Sequence, residues 1–434
     1  LHLAGGLTVL VVHDPQAEGV TLDFASRGAG ESGDARTSGL ASLAGLLLSD
    51  ADNSEHPASI AEERGLQFHP RISRDGGDFL LSTTAAKLDD ALRQLASALL
   101  HPRCRAQTLE RLRAEYTNFL IRRTVNSPEQ SGVNLVRHRL YGDEHPLGQP
   151  PEGVRAVIDT ATLEDMQRFC ESRIRLKDSA LVVVGDTTPE MVRPLVEKAF
   201  VEWRSNVAAS AAVPPPAAIA PTPTGDPVEV LPWFGATQSW IILGTPGPSR
   251  TSPDYASLLV LANLLEQRFD PDTRTPGEGR AKELPTRAWI ESSGFGTTLF
   301  LIMPVSPGKE GAATRALLQE FDALATRPTT AEDLAIARSR FESSVANAYA
   351  TPTDAAVTLG ALFDARLPFT TETSLVARVE TLTSDELQHA AQTIFRPEAS
   401  RLVVVGEPKR ALPSLRAAGF SLPGIAPPPP GRTE

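Results

Sequence analysis

The sequence predicts an α+β protein built from two similar α/β-sandwich domains joined by a linker. Three observations carry this. First, β-branched runs alternate with amphipathic helical runs through the first half. Second, Ile158–Gln167 recurs as Val379–Gln388, and Leu181-Val182-Val183-Val184-Gly185 recurs as Leu402-Val403-Val404-Val405-Gly406, both at an offset of 221 residues. Short Val-rich strands recur by chance, but a shared offset with matching helices around them reads as a duplication. Third, the stretch 205–227 is mostly Ala, Pro, Ser and Thr, with Pro214-Pro215-Pro216 inside it. It buries too little apolar surface to order itself and reads as a semi-stiff linker. The domains expected are therefore 1–204 and 228–420, with a Pro-rich tail over 421–434.

The elements follow in order. Leu7–His13 and Val20–Arg27 are β-branched and read as strands. The Gly- and Ser-rich 28–33 segment is a loop. Thr37–Asp50 is an Ala/Leu-rich run with a Ser-Gly entry, which reads as a buried helix. Ser59–Gly65 reads as a short helix stopped by its glycine. Gln67–Ser73 and Asp78–Thr84 alternate as strands around the turn Arg74-Asp75-Gly76-Gly77. Leucines at 88, 92, 95 and 99 mark an amphipathic helix over Leu88–Leu100. Thr108–Arg123, Pro128–Tyr141, Leu163–Arg175 and Pro189–Trp203 read as further helices, and Ala180–Gly185 as a buried strand.

With 434 residues, the chain exceeds what one ordinary core needs. Its net charge of −11 argues against a nucleic-acid or anionic-membrane partner. No stretch has the apolar length of a membrane-spanning helix. The opening residues lack a charged n-region and an apolar h-region; the compartment is left open, with the cytoplasm or periplasm of a bacterium the expectation. Cys104 and Cys170 lack metal-ligand spacing and are expected to be two buried thiols.

Chemistry is sought first in the 37–50 helix, where positions 42, 45 and 46 project from one face. Gly39-Leu40-Ala41 followed by that face resembles the Gly-Leu-Ala-His-x-x-Glu-His motif of the pitrilysin/insulinase family of zinc peptidases. Other features carry the resemblance from about Leu7 to Gly406. These are the opening Gly6–Val11, Tyr141-Gly142-Asp143-Glu144-His145-Pro146-Leu147-Gly148, the strand end Leu181–Asp186 and the duplication itself. In that family two His hold zinc and the intervening Glu is the general base. This chain has Ser42, Gly45 and Leu46 at those positions, and the third ligand, a Glu, aligns near Leu120, with Glu115 a poorer match. Ser, Gly and Leu offer zinc no ligand set and leave water without a base.

The resemblance implies further expectations. Each domain is a mixed, largely antiparallel sheet with helices packed on it, and the pair forms half of a clamshell. In the short two-domain branch, which includes mitochondrial processing peptidase, two such chains associate; one carries zinc and the other is degenerate. The expected partner is thus a homologous subunit with an intact His-x-x-Glu-His motif. Zinc is expected in that partner, no cofactor in this chain, and a peptide as substrate. Peptide contacts are expected at Phe68, His69 and Arg71, on the edge strand where the family usually has Asn-Ala and this chain has His69-Pro70. The family's substrate-orienting Arg and Tyr align with Lys282 or Arg280, and with Trp289.

Competing readings are weaker. Gly39-x-x-Ser42 lacks the flanking glycines of a hydrolase nucleophile elbow. His138 and His145 flank Asp143 and Glu144, the best local cluster for a metal, but the resemblance makes His145-Pro146 a structural turn. Glu62-Glu63 and Arg122-Arg123 read as solvated faces. The function expected is a non-catalytic peptidase-family subunit. The alternatives are a scaffold resembling the core subunits of a respiratory complex and an enzyme with a rebuilt site.

Overall fold

The structure is a computed structural model that describes residues 1–3, 5–31, 34–50, 67–100, 105–201, 218, 220–269, 285–421 and 424–425. The expected helix over Ser59–Gly65, most of the linker and Cys104 lie outside the described residues. Among the described residues no helix is long and apolar enough to cross a membrane.

Two mixed sheets organise the chain. The first runs β1-β5-β2-β4-β3, with β1 Thr8–His13, β2 Val20–Ser26, β3 Gln67–Ile72, β4 Gly77–Thr83 and β5 Ser179–Gly185. Only the β1–β5 pair is parallel. The second runs β11-β6-β10-β7-β9-β8, with β6 Val228–Pro232, β7 Ser239–Gly247, β8 Arg287–Ser293, β9 Gly296–Val305, β10 Arg401–Gly406 and β11 Gly424–Ile425. Without β11, the second sheet repeats the order and directions of the first, with the parallel pair at β6–β10. The α+β class and the mixed, largely antiparallel sheets expected from sequence are the architecture observed.

The repeat extends to helix starts. Helices in the first half are α1 Leu40–Ser49, α2 Leu88–Leu100, α3 Ala106–Leu120, α4 Pro128–Tyr141, α5 Arg155–Thr160, α6 Leu163–Arg173 and α7 Pro189–Ala199. In the second half they are α8 Tyr255–Phe269, α9 Glu310–Thr326, α10 Ala331–Asn347, α11 Pro352–Asp364, α12 Thr371–Thr381, α13 Ser384–Ile394 and α14 Pro408–Ala417. Thr162 opens α6 in a reciprocal capping box with Asp165, and Thr383, 221 residues on, opens α13 with Glu386. Each box satisfies two backbone N–H groups left over at a helix start. Arg378 and the Thr383 cap hold the Glu386 carboxyl down to about 2. Replacing Thr162 or Thr383 by alanine is expected to lower stability by about 1 kcal/mol each, read as a shift of the denaturant midpoint.

The compact units are not the two contiguous halves read from the sequence. One unit comprises 1–118, 151–216 and 345–372; the other comprises 119–150, 217–344 and 373–434. Each half of the chain therefore lends a helix to the other's sheet. In the first unit, α2 and α7 cover one sheet face through Leu92, Leu95, Val192 and Val196 against Leu22, Phe24 and Phe79. The opposite face is covered by α11, whose Ala355, Ala356 and Leu359 pack on Val182 and Val184. In the second unit the matching face is covered by α4, with Val133, Val136 and Leu140 on Ile242, Phe300 and Val405. The other face lies under α8, α9 and α13. Both exchanged helices begin alike: Ser127 caps α4 and Thr351 caps α11, each followed by Pro at the first helical position.

Two readings need correction. The tail is not wholly linker-like, since Gly424-Ile425 pairs along the edge of β6 just before its proline run. The end of the 205–227 stretch is also tied down: Thr224 N donates to Arg139 O at 2.7 Å, and Pro227 O accepts from Leu402 N at 2.9 Å. Backbone hydrogen bonding to the second unit outweighs local composition there. Cys170 is a buried free thiol, as expected.

Candidate functional site

Helix α1 is the place to look for peptidase chemistry. Its entry residue Gly39 has φ of 97°, a left-handed conformation that favours glycine. No side chain of its own caps the helix. Glu31, eight residues upstream and buried, serves instead. Its carboxylate accepts from Gly39 N at 3.0 Å, Ser42 N at 3.3 Å and Ser42 Oγ at 3.2 Å. A carboxylate there suits the positive end of the helix dipole, while burial pushes its pKa up against those hydrogen bonds.

The three motif positions are therefore occupied by structural duties. Ser42, in place of the first His, is bonded to Glu31. Gly45, in place of the Glu, is buried, and its absent side chain lets β3 approach. A Cβ there would stand 3.1 Å from Ile72 and 3.3 Å from Pro70. Leu46, in place of the second His, is half-buried and apolar. Leu120 is buried at the end of α3. Glu115 is exposed and paired with Arg111 at 3.2 Å, and Arg111 also bonds Asp50 at 2.5 Å. Ser, Gly and Leu do not fit zinc, and the space beside Gly45 is filled by strand β3.

The edge strand divides its residues between two faces. Pro70 and Ile72 face α1, as their contacts at Gly45 demonstrate. His69 and Arg71 alternate to the opposite face and are exposed. The side chain of Phe68, and Arg280 and Lys282 entirely, lie outside the described residues. Among the described residues β3 is the edge strand of its sheet, and Pro70 contributes no backbone donor to it.

Trp289 sits on β8, the corresponding edge of the second sheet. It stacks on Phe300 with centroids 5.2 Å apart, and its Nε1 donates to Glu291 Oε1 at 3.1 Å. Buried Arg137 pairs with the same Glu291 and lies 4.7 Å above the Phe300 ring. The indole N–H is thus used within the chain. His145 Nδ1 accepts from Leu147 N at 3.0 Å and its ring lies 4.6 Å from that of Tyr141, making it the structural turn read from sequence.

Behind the first turn of α1 is a cavity of about 230 Å³, lined by Leu40, Ala41, Phe169, Arg168 and Arg173 among others. Glu31 borders it and acts electrostatically on Arg173. Sequence reasoning missed Glu31 because nothing local links it to a helix that starts nine residues later.

Comparison with known proteins fits this geometry. Residues 160–341 match the family described as the peptidase M16 inactive domain. A zinc protease, PqqE, of Helicobacter pylori is 25% identical over 264 residues, a match covering 57% of this chain and 54% of that protein. The chain thus spans about half the length of that curated relative. A protease from Helicobacter pylori of solved structure superposes with a TM-score of 0.79 at 18% identity, over 93% of this chain and 98% of the other. A peptidase M16 inactive domain from Pseudomonas fluorescens gives 0.78 at 18%, over 94% and 97%. A chain of complex III2 from Candida albicans gives 0.75 at 11%, over 96% and 98%. Residues 160–341 are thus similar to the peptidase M16 inactive domain, and nearly the whole chain shares the fold of these solved structures.

Proposed function

We propose that this chain is the non-catalytic subunit of a heterodimeric zinc peptidase, pairing with a homologous subunit that carries an intact His-x-x-Glu-His motif. The observation that carries the reading is the first half of α1. A peptidase helix keeps its frame while Ser42, Gly45 and Leu46 replace both ligands and base. Zinc, base and attacking water then belong to the partner. This chain closes the chamber and holds part of the peptide.

Its own contribution is binding. An extended peptide adds to the β3 edge of the sheet by backbone hydrogen bonds, and the exposed His69 and Arg71 meet one of its faces. Arg280, Lys282 and Trp289 are the residues proposed to contact substrate from the second domain.

The test is co-purification followed by assay. The isolated chain, loaded with zinc and desalted, is expected to keep less than about a tenth of an equivalent and to cleave no peptide, because a true three-ligand site retains its metal. The pair is expected to cleave, and a chelator to stop it. Stoichiometric zinc with cleavage by the isolated chain overturns the proposal. A second reading, a scaffold without peptidase function, is supported by the fold shared with the complex III2 chain. A stable assembly that hydrolyses nothing in any combination is its signature.

A further inference from the structure

Three carboxyl groups meet inside the first unit, away from α1. Asp23 of β2, Asp78 of β4 and Asp364 at the end of α11 are 0%, 5% and 1% exposed. Both oxygens of Asp23, both of Asp364 and Oδ1 of Asp78 are buried, and among the described residues no hydrogen-bond donor reaches them. The glycines around them mark how closely the chain is fitted. A Cβ on Gly360 of α11 would fall on Asp23 Oδ2 and within 3.0 Å of Asp78 Oδ1, and one on Gly76 would fall on the Asp364 carboxyl.

The second unit is the natural comparison. The strand registers set Asp23 against Ile242 and Asp78 against Phe300, and the aligned helix starts set Asp364 against Leu140. All three counterparts are buried and apolar. The fold therefore needs no carboxyl in this layer, and the first unit has three.

Three ionised carboxylates cannot share such a space. Asp364 also ends α11, where the helix dipole disfavours negative charge. The cations nearby are few: Arg71 of β3 is exposed, and Arg27 spends its Nε on Phe363 O at 2.9 Å with its guanidinium 3.9 Å over the Phe363 ring. Arg366 follows α11, and Asp75, in the β3–β4 turn, adds negative charge. The β5 and β1 residues under α11 (Val182, Val184, Leu10, Val12) are apolar. Among the described residues no three His, Cys, Asp or Glu side chains are arranged to hold a metal ion. With no other donor reaching these oxygens, a hydrogen bond between Asp78 and Asp364 forms only if one of them keeps its carboxyl proton.

We propose that Asp23, Asp78 and Asp364 form a proton-held latch, which seats α11 on the first sheet while the cluster keeps its protons and weakens that seat as they leave. Burial, then mutual repulsion, raises the Asp23 and Asp364 carboxyls well above their ordinary range, and burial pushes Asp78 up to about 7. Released α11 exposes carboxyls that titrate near 4. The seated form thus binds more protons between pH 4 and the raised values, so docking is complete below that window and weakens as pH rises through 7.

Hydrogen exchange of the full chain between pH 6 and 9, corrected for intrinsic rates, tests this. Protection of α11 is expected to fall by about tenfold per pH unit for each proton retained, while α4, on its apolar layer, stays level. D78N and D364N are expected to flatten the α11 response. An infrared band of protonated carboxyl should be present in the unmodified chain at pH 7 and decline together with α11 protection, a readout that does not depend on the variants folding. If α11 and α4 respond alike, or no such band is present at pH 7, the latch does not exist.

Discussion

Phe300→Ala is expected to lower the unfolding free energy by about 3–5 kcal/mol. The ring is fully buried and stands among Val136, Leu140, Ile242 and Val405 where α4 meets the second sheet. Trp289 stacks on one side and the Arg137 guanidinium lies over the ring. Truncation removes the aromatic volume and leaves a cavity in a layer that cannot collapse, because strands and helix are held by their own hydrogen bonds. It also deprives a buried cation of its aromatic face while the Glu291 pair remains. A fall in denaturant midpoint at unchanged slope measures the loss, with Trp289 fluorescence as a local reporter. Phe300→Leu should recover the greater part. A loss below about 1 kcal/mol would mean that the ring is not the keystone of this layer.

Restoring the family motif by Ser42→His, Gly45→Glu and Leu46→His together is expected to fail. The Glu is the obstacle. Its Cβ would enter space now held by Ile72 and Pro70, and its carboxylate would be driven toward an apolar strand. Overpacking and an unsatisfied buried acid together cost about 2–5 kcal/mol. Ser42→His also discards the hydroxyl that Glu31 accepts from. The triple variant should therefore be less stable than the parent, retain no stoichiometric zinc and cleave nothing. Gly45→Ala alone should cost less, since Ile72 and Pro70 need give only a few tenths of an ångström. Stoichiometric zinc in the triple variant would show that β3 yields more readily than its packing implies.

Local and periodic features were legible from residues alone. The 221-residue offset links Thr162 to Thr383 and β5 to β10, because caps and Val-rich strands are written in a few adjacent residues. Helix limits were less secure. The run read over Thr108–Arg123 is α-helical only to Leu120 and continues as a π-helical turn over Ile121–Val125. The exchange of α4 and α11 between units left no mark in the sequence, since both helices look alike and only long-range packing decides which sheet each covers. Glu31 and the Asp23–Asp78–Asp364 cluster were missed for the same reason. Each is a lone acid in its own segment and acquires meaning only from partners tens or hundreds of residues away. The degenerate motif positions, by contrast, were read from one helix turn.

The exchanged helices also set a timetable for the nascent chain. The strands of the first sheet are complete once β5 has left the ribosome, yet α11, which covers one of its faces, is still unmade. At ordinary elongation rates that face waits roughly 10–30 s. Throughout the wait it presents Leu10, Val12, Val182 and Val184 to the cytosol or to a chaperone. Helix α4 has the opposite predicament: it emerges early and must remain soluble until the sheet it belongs to is synthesised. Productive folding of either unit is thus a late, nearly simultaneous event.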